Sequence, residues 1–165
     1  MYPRTETEHS EPWYRLKTRS LDPMEWQAHL LDQSVSQLAP KGEAFATRFY
    51  ERLFEEFPNL MPLFHGISMK DQHKKLWSTL TVVAQGFRHR EELTHTLLEL
   101  GAKHKTYGVR PQDYDSVRVT LLKTFQEFLG ESWSTEMHLA WSMALYDVSQ
   151  VMLQGARPTH SHNQG

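Results

Sequence analysis

The stretch LGAKHKTYGV, residues 100–109, sets one histidine on a helical apolar stripe and closes with a glycine and a valine. Leu93, Leu97, Leu100 and His104 follow one another at steps of four, three and four residues, which keeps them on one face of a helix predicted from about Glu91. Gly108 can take up the left-handed backbone without strain and is placed to end that helix. Spacing leaves two readings of His104 open: a core histidine satisfied by its neighbours, or a ligand. Ten histidines in 165 residues make a chance placement on an apolar face unsurprising.

The same period extends in both directions. Towards the N-terminus, a helix is predicted from Asp22 and Pro23 to just before Pro40, with Leu31, Val35 and Leu38 inward. Next comes an aromatic stripe, Phe45, Phe49, Tyr50, Leu53, Phe54 and Phe57, that stops at Pro58. After the connector PNLMPLF, a helix from about Met69 turns Gln72, Leu76, Leu80, Val83 and Phe87 to one side, with Lys70, Lys74 and Lys75 nearer solvent. Towards the C-terminus, Pro111 opens a helix carrying Tyr114, Val117, Leu121, Leu122, Phe125 and Phe128, which Gly130 can terminate. Ser134 is placed to cap a last helix with Met137, Trp141, Ala144, Val148, Val151 and Met152 on one face. No alternating run is long enough to require a strand, so the fold class is all-α.

Composition narrows the function. A chain that is 39% hydrophobic can bury one core, and we expect a single domain over residues 21–156 between an N-terminal extension (1–20) and a C-terminal tail (157–165). The net charge of -2 offers no basic stripe for nucleic-acid phosphates, so nucleic acid is not an expected partner. The absence of cysteine excludes disulfides and thiolate chemistry and is compatible with the cytoplasm, the expected location. Neither a signal-peptide core nor a membrane span is expected. Zinc-hydrolase, phosphate-loop and serine-elbow motifs are missing. What stands out is polar chemistry on apolar faces, since buried His104 and Gln72 each need a partner. An iron porphyrin answers both needs, because it requires a flat apolar slot, one strong nitrogen ligand and an open opposite side.

At this point RFYERLFEEFPNLMPLF (48–64), DQHKKLWSTL (71–80), LGAKHKTYGVRPQDY (100–114) and LGESWSTEMHLAW (129–141) together resemble the bacterial single-domain globins of the flavohaemoglobin-related class. The resemblance covers about residues 22–155 and rests on the joint spacing of Phe64, Gln72 and His104. It implies a globin fold, a three-over-three helical sandwich around haem b (iron protoporphyrin IX). His104 would be the proximal iron ligand, Phe64 the phenylalanine packed on the porphyrin, Tyr50 and Gln72 the distal donors, and Leu76 the residue limiting the room above the iron. Leu100, Val109 and Tyr114 would also line the cofactor, and Lys75 would reach a propionate at the rim. By spacing alone Tyr50 belongs to the aromatic stripe and Lys75 to a solvated face.

The resemblance implies oxygen, nitric oxide and carbon monoxide as ligands and nitric oxide dioxygenation as the activity, with electrons from a separate reductase. A haem-based gas sensor with residues 1–20 as output arm, or an oxygen-transport protein, are the other readings. In flavin-fused relatives a tyrosine and a glutamate polarise the proximal imidazole. Tyr114 matches the tyrosine, or is simply packing, but Ala156 stands at the glutamate position, which argues against peroxidase-like chemistry. His73, by its helical phase, is expected to point away from the pocket as a satisfied surface or rim histidine.

Overall fold

The computed structural model describes residues 22–158; the expected N-terminal extension 1–20, and residues 159–165 of the expected tail, lie outside the described residues. Among the described residues there are six α-helices and no strand. They are α1 (Pro23–Leu38), α2 (Gly42–Glu56), α3 (Met69–Gly86), α4 (Arg90–Thr106), α5 (Pro111–Leu129) and α6 (Thr135–Gly155). Short 3-10 turns fill Ala39–Lys41, Pro58–Phe64 and Gly130–Ser132.

The helix ends sit where the capping chemistry puts them. Asp22 Oδ1 accepts the Met24 N–H at 3.0 Å to start α1, and Ser134 Oγ accepts the Met137 N–H at 3.1 Å to start α6. At α5 the Arg110 N–H donates to Asp113 Oδ2 at 2.8 Å, which satisfies a buried carboxylate locally. Gly108, at φ +91°, turns the chain after α4, and a side chain there would be strained. The connector 58–64 coils as a 3-10 turn through Pro62 and carries Phe64 at its end.

The helices form the three-over-three sandwich of a globin fold. α1 packs on α3 and α6, α2 on α3 and α5, and α4 on α6, so spatial neighbours are often distant in sequence. Trp141, Phe45, Phe49 and Phe125 are fully buried and form the centre, with the Phe125 and Trp141 rings 4.4 Å apart and stacked. Trp141 Nε1 donates to Ser34 Oγ at 2.7 Å, pinning α6 to α1 and leaving no indole N–H unpaired in the core.

Two glycines bring α4 onto α6. A Cβ at Gly101 would overlap the Met152 carbonyl oxygen, and one at Gly155 would overlap that of Leu98, so the two backbones touch. This contact sets the position of α4, and with it His104, directly from the framework.

The aromatic centre is fully buried, but a second set of apolar residues is only half-buried. Phe64, Leu76, Leu100, Val109, Tyr114 and Val117 belong to it, together with His104. They come from the 58–64 turn, α3, α4, the turn after it and α5, and all but Val117 are residues expected to line the cofactor slot. No helix among the described residues is long and apolar enough to cross a membrane.

Candidate functional site

One wall of the slot lies where α2 meets α3. Tyr50 is 5% exposed, and its ring meets Phe49, Phe54 and Phe64 at centroid distances of 4.9, 5.9 and 5.4 Å. Gln72 Nε2 donates to the Tyr50 hydroxyl oxygen at 3.0 Å. The oxygen is thereby an acceptor, and the phenolic proton remains available to a third group. Burial pushes the Tyr50 phenol up to about 12, while the Gln72 bond pulls the other way. At neutral pH the group is therefore an uncharged donor. Leu76, one turn beyond Gln72, is half-buried beside it, and Lys75 is exposed and makes no ion pair among the described residues.

His73 is a satisfied rim histidine, as its helical phase suggested, and it makes a contact with α2 besides. It is half-buried and stacks on Tyr50, with ring centroids 5.4 Å apart and 24° between planes. It does find a polar partner, because Thr47 Oγ1 lies 3.3 Å from its Nδ1. The contact arises because α2 packs on α3 closely enough for Thr47 and Tyr50 to reach His73. Thr47 and this use of His73 were not legible in the sequence, since residues 47 and 73 lie on different helices and neither breaks its local pattern. A polar residue one turn before Tyr50 was the only available signal.

The opposite wall is built by α4. His104 is half-buried, and its Nδ1 lies 2.8 Å from the Leu100 carbonyl oxygen one turn back. A carbonyl only accepts, so Nδ1 carries the proton and Nε2 keeps its lone pair. Burial lowers the His104 pKa below the usual imidazole value, and the Leu100 bond partly offsets that. Burial is the larger effect and favours the neutral imidazole, whose Nε2 is then free to ligate. Val109 is half-buried after the turn, and its N–H donates to the His104 carbonyl at 3.1 Å. A Cβ at Gly108 would meet Leu63 Cδ2 at 3.6 Å, which puts the turn after α4 next to the turn that carries Phe64.

Tyr114 stands 6.3 Å from His104 between ring centroids, at an interplanar angle of 27°, with no hydrogen bond between them. Burial raises its phenol. Ala156 caps α6 and brings no carboxylate to this wall. The imidazole is thus polarised by a backbone carbonyl alone.

These groups can be tested against what they could hold. Among the described residues no group of three or more His, Cys, Asp or Glu side chains converges to bind a bare metal ion. A single neutral imidazole in an apolar slot instead fits a metal that brings its own planar ligand set, as haem does. Phe64, Leu76, Leu100, Val109 and Tyr114 supply apolar walls of the right character.

Comparison with known proteins agrees with this geometry. The Globin family matches residues 47–152, which leaves α1 outside the matched segment. Flavohemoproteins of Halalkalibacterium halodurans and Rhizobium meliloti are 27% and 29% identical over 76% and 70% of this chain, covering 31% and 29% of their own lengths. The flavohemoprotein of Pseudomonas aeruginosa is 28% identical over 82% of this chain and 35% of its own. The chain thus spans about a third of the length of these relatives. With a helical sandwich and more than half of its length matched, the chain belongs to the globin family of gas-binding haem proteins and is related to the globin part of the flavohaemoproteins.

Proposed function

We propose that the protein holds haem b through His104 Nε2, binds oxygen and nitric oxide, and serves in nitric oxide dioxygenation in the cytoplasm. Haem, when bound, would supply the iron at which a diatomic gas takes on negative charge, and a reductase would supply the electrons for turnover. The chain's own residues do the rest. His104 presents a neutral nitrogen because its other nitrogen is tied to Leu100. Phe64, Leu76, Leu100 and Val109 would shield the haem from water, Tyr114 packs along the His104 side, and Lys75 would meet a propionate at the rim.

The observation that carries the reading is the direction of the Gln72 to Tyr50 bond. Because Gln72 donates to the hydroxyl oxygen at 3.0 Å, Tyr50 can point its own proton at the gas, and a negatively charged ligand is stabilised most by such a charge-assisted bond. Slow release of oxygen follows, which suits a protein that holds oxygen for reaction with nitric oxide more than one that delivers it.

An absorption spectrum of the haemin-loaded, dithionite-reduced protein, before and after oxygen, tests the binding step. A sharp Soret band with a reversible oxygen spectrum is expected. Nitric oxide consumption, timed with an added flavin reductase, tests the activity; consumption no faster than with free haem would remove it. Tyr50→Phe should speed oxygen dissociation by on the order of tenfold to a hundredfold. Unchanged release would remove Tyr50 from the distal role.

A further inference from the structure

Gln72 and His73 are consecutive on α3 and both reach Tyr50, one at its hydroxyl and the other at its ring face. This gives His73 a task that the donor pair alone does not describe. The Thr47 hydroxyl donates its single proton to the Glu43 carbonyl at 2.9 Å, one turn back in α2. In its 3.3 Å contact with His73 Nδ1 the hydroxyl oxygen is therefore the acceptor, and His73 is the Nδ1–H tautomer. The ring so held lies nearly parallel to Tyr50, 5.4 Å away at 24°. Phe49 and Phe64 meet Tyr50 edge-on, at 76° and 73°. Thr47 and Tyr50 are three residues apart on α2, so the two together grip one side chain of α3.

We propose that His73, fixed by Thr47, is a positioning residue that sets the aim of the Tyr50 hydroxyl and thereby the rate of gas release. An imidazole suits the place because one planar ring both stacks and donates. A smaller side chain leaves the Tyr50 ring free to tilt, and its hydroxyl then follows Gln72 alone. This inference rests on the distal role of Tyr50 proposed above, and the test separates the two.

The holoprotein is compared with Tyr50→Phe, His73→Ala, His73→Phe, Thr47→Val and the double variant Tyr50→Phe/His73→Ala. Oxygen dissociation is timed, the C–O stretch of the carbon monoxide complex is recorded, and the His73 tautomer is read by nitrogen NMR in that diamagnetic complex. Tyr50→Phe is measured first, since unchanged oxygen release there overturns the distal role and this inference with it. Given an effect, His73→Ala should speed release about fivefold, the size expected for one misdirected hydrogen bond. It should also raise or split the C–O stretch, and His73→Phe should recover most of both. In the Tyr50→Phe background the His73→Ala change should add nothing, because its route is through the lost hydroxyl. Thr47→Val should release the Nδ1–H preference. Equal acceleration by His73→Ala with and without the Tyr50 hydroxyl would overturn the inference, as would no acceleration at all, no recovery in His73→Phe, or an Nε2–H tautomer in the parent protein.

Discussion

The two walls of the slot hold their polar groups by different means. On the α2–α3 side the polar contacts that join the two helices are between side chains, with Gln72 on Tyr50 and Thr47 on His73. On the α4 side the imidazole is held by its own backbone, through Leu100, and the helix that carries it lies in backbone contact with α6 at Gly101 and Gly155. A backbone carbonyl is present whatever the sequence, so it gives a fixed, modest polarisation of the imidazole. Side-chain donors can be exchanged one at a time. On the proposed reading, ligand chemistry would be set on the Tyr50 side, with the His104 side as a fixed anchor.

The anchor is where a substitution does most damage. His104→Ala should abolish stable haem binding while the helical fold persists, because the aromatic centre around Trp141 does not depend on it. Haem titration followed at the Soret band, with circular dichroism alongside, checks both parts. Tight haem binding in the variant would mean that another side chain ligates. Next in size is the α4–α6 contact. Gly101→Ala must force apart two backbones that touch, at a cost of about 1–3 kcal/mol as for other overpacked sites. Urea unfolding measures the loss, and faster haem transfer to an acceptor protein would show that His104 moved with α4. Stability equal to the parent would mean that α4 can shift freely, and the contrast between the walls would fail.

The same contrast separates what the sequence reveals from what it hides. His104 and Leu100 were legible because a helix stacks residues four apart, so the stripe and the internal hydrogen bond share one local geometry. Gln72 was legible as a polar intruder on an apolar face. Tyr50 was not, because a tyrosine in an aromatic stripe reads as core, and only the resemblance to globins gave it a role. The Thr47–His73 contact depends on how two helices cross, which no periodicity encodes. Gly101 and Gly155 were unread for a similar reason. A glycine in a helix looks like a cost in propensity until the neighbouring helix is seen to occupy the space of its missing side chain.

Alkaline titration sharpens the picture of the Tyr50 side. Burial holds that phenol up at about 12 against an ordinary value of 10.0. Above 10 the unfolded chain has lost this proton while the folded chain keeps it, so the contribution is fully present below pH 10 and disappears as pH rises through 12. Tyrosinate absorbance should show late titration from Tyr50 and from Tyr114, whose phenol burial also raises, and the latest component should vanish in Tyr50→Phe. In Gln72→Leu, which removes the bond favouring the phenolate, it should titrate later still. Titration with the exposed tyrosines would mean that water reaches the hydroxyl.

The smallest effect is expected at Tyr114, and its smallness is informative. In a wall that polarised His104 through side chains, Tyr114→Phe would weaken the imidazole as a donor and shift the iron–histidine stretch of the reduced protein. Here the two rings are 6.3 Å apart without a hydrogen bond, Ala156 offers no carboxylate, and the imidazole proton is already committed to Leu100. Tyr114→Phe should therefore leave the iron–histidine stretch unchanged and alter oxygen release by less than about twofold, within the few tenths of a kcal/mol of a packing change. A clear downward shift of that stretch would show that Tyr114 acts on His104 when haem is bound, and that the anchor too is tuned by side chains.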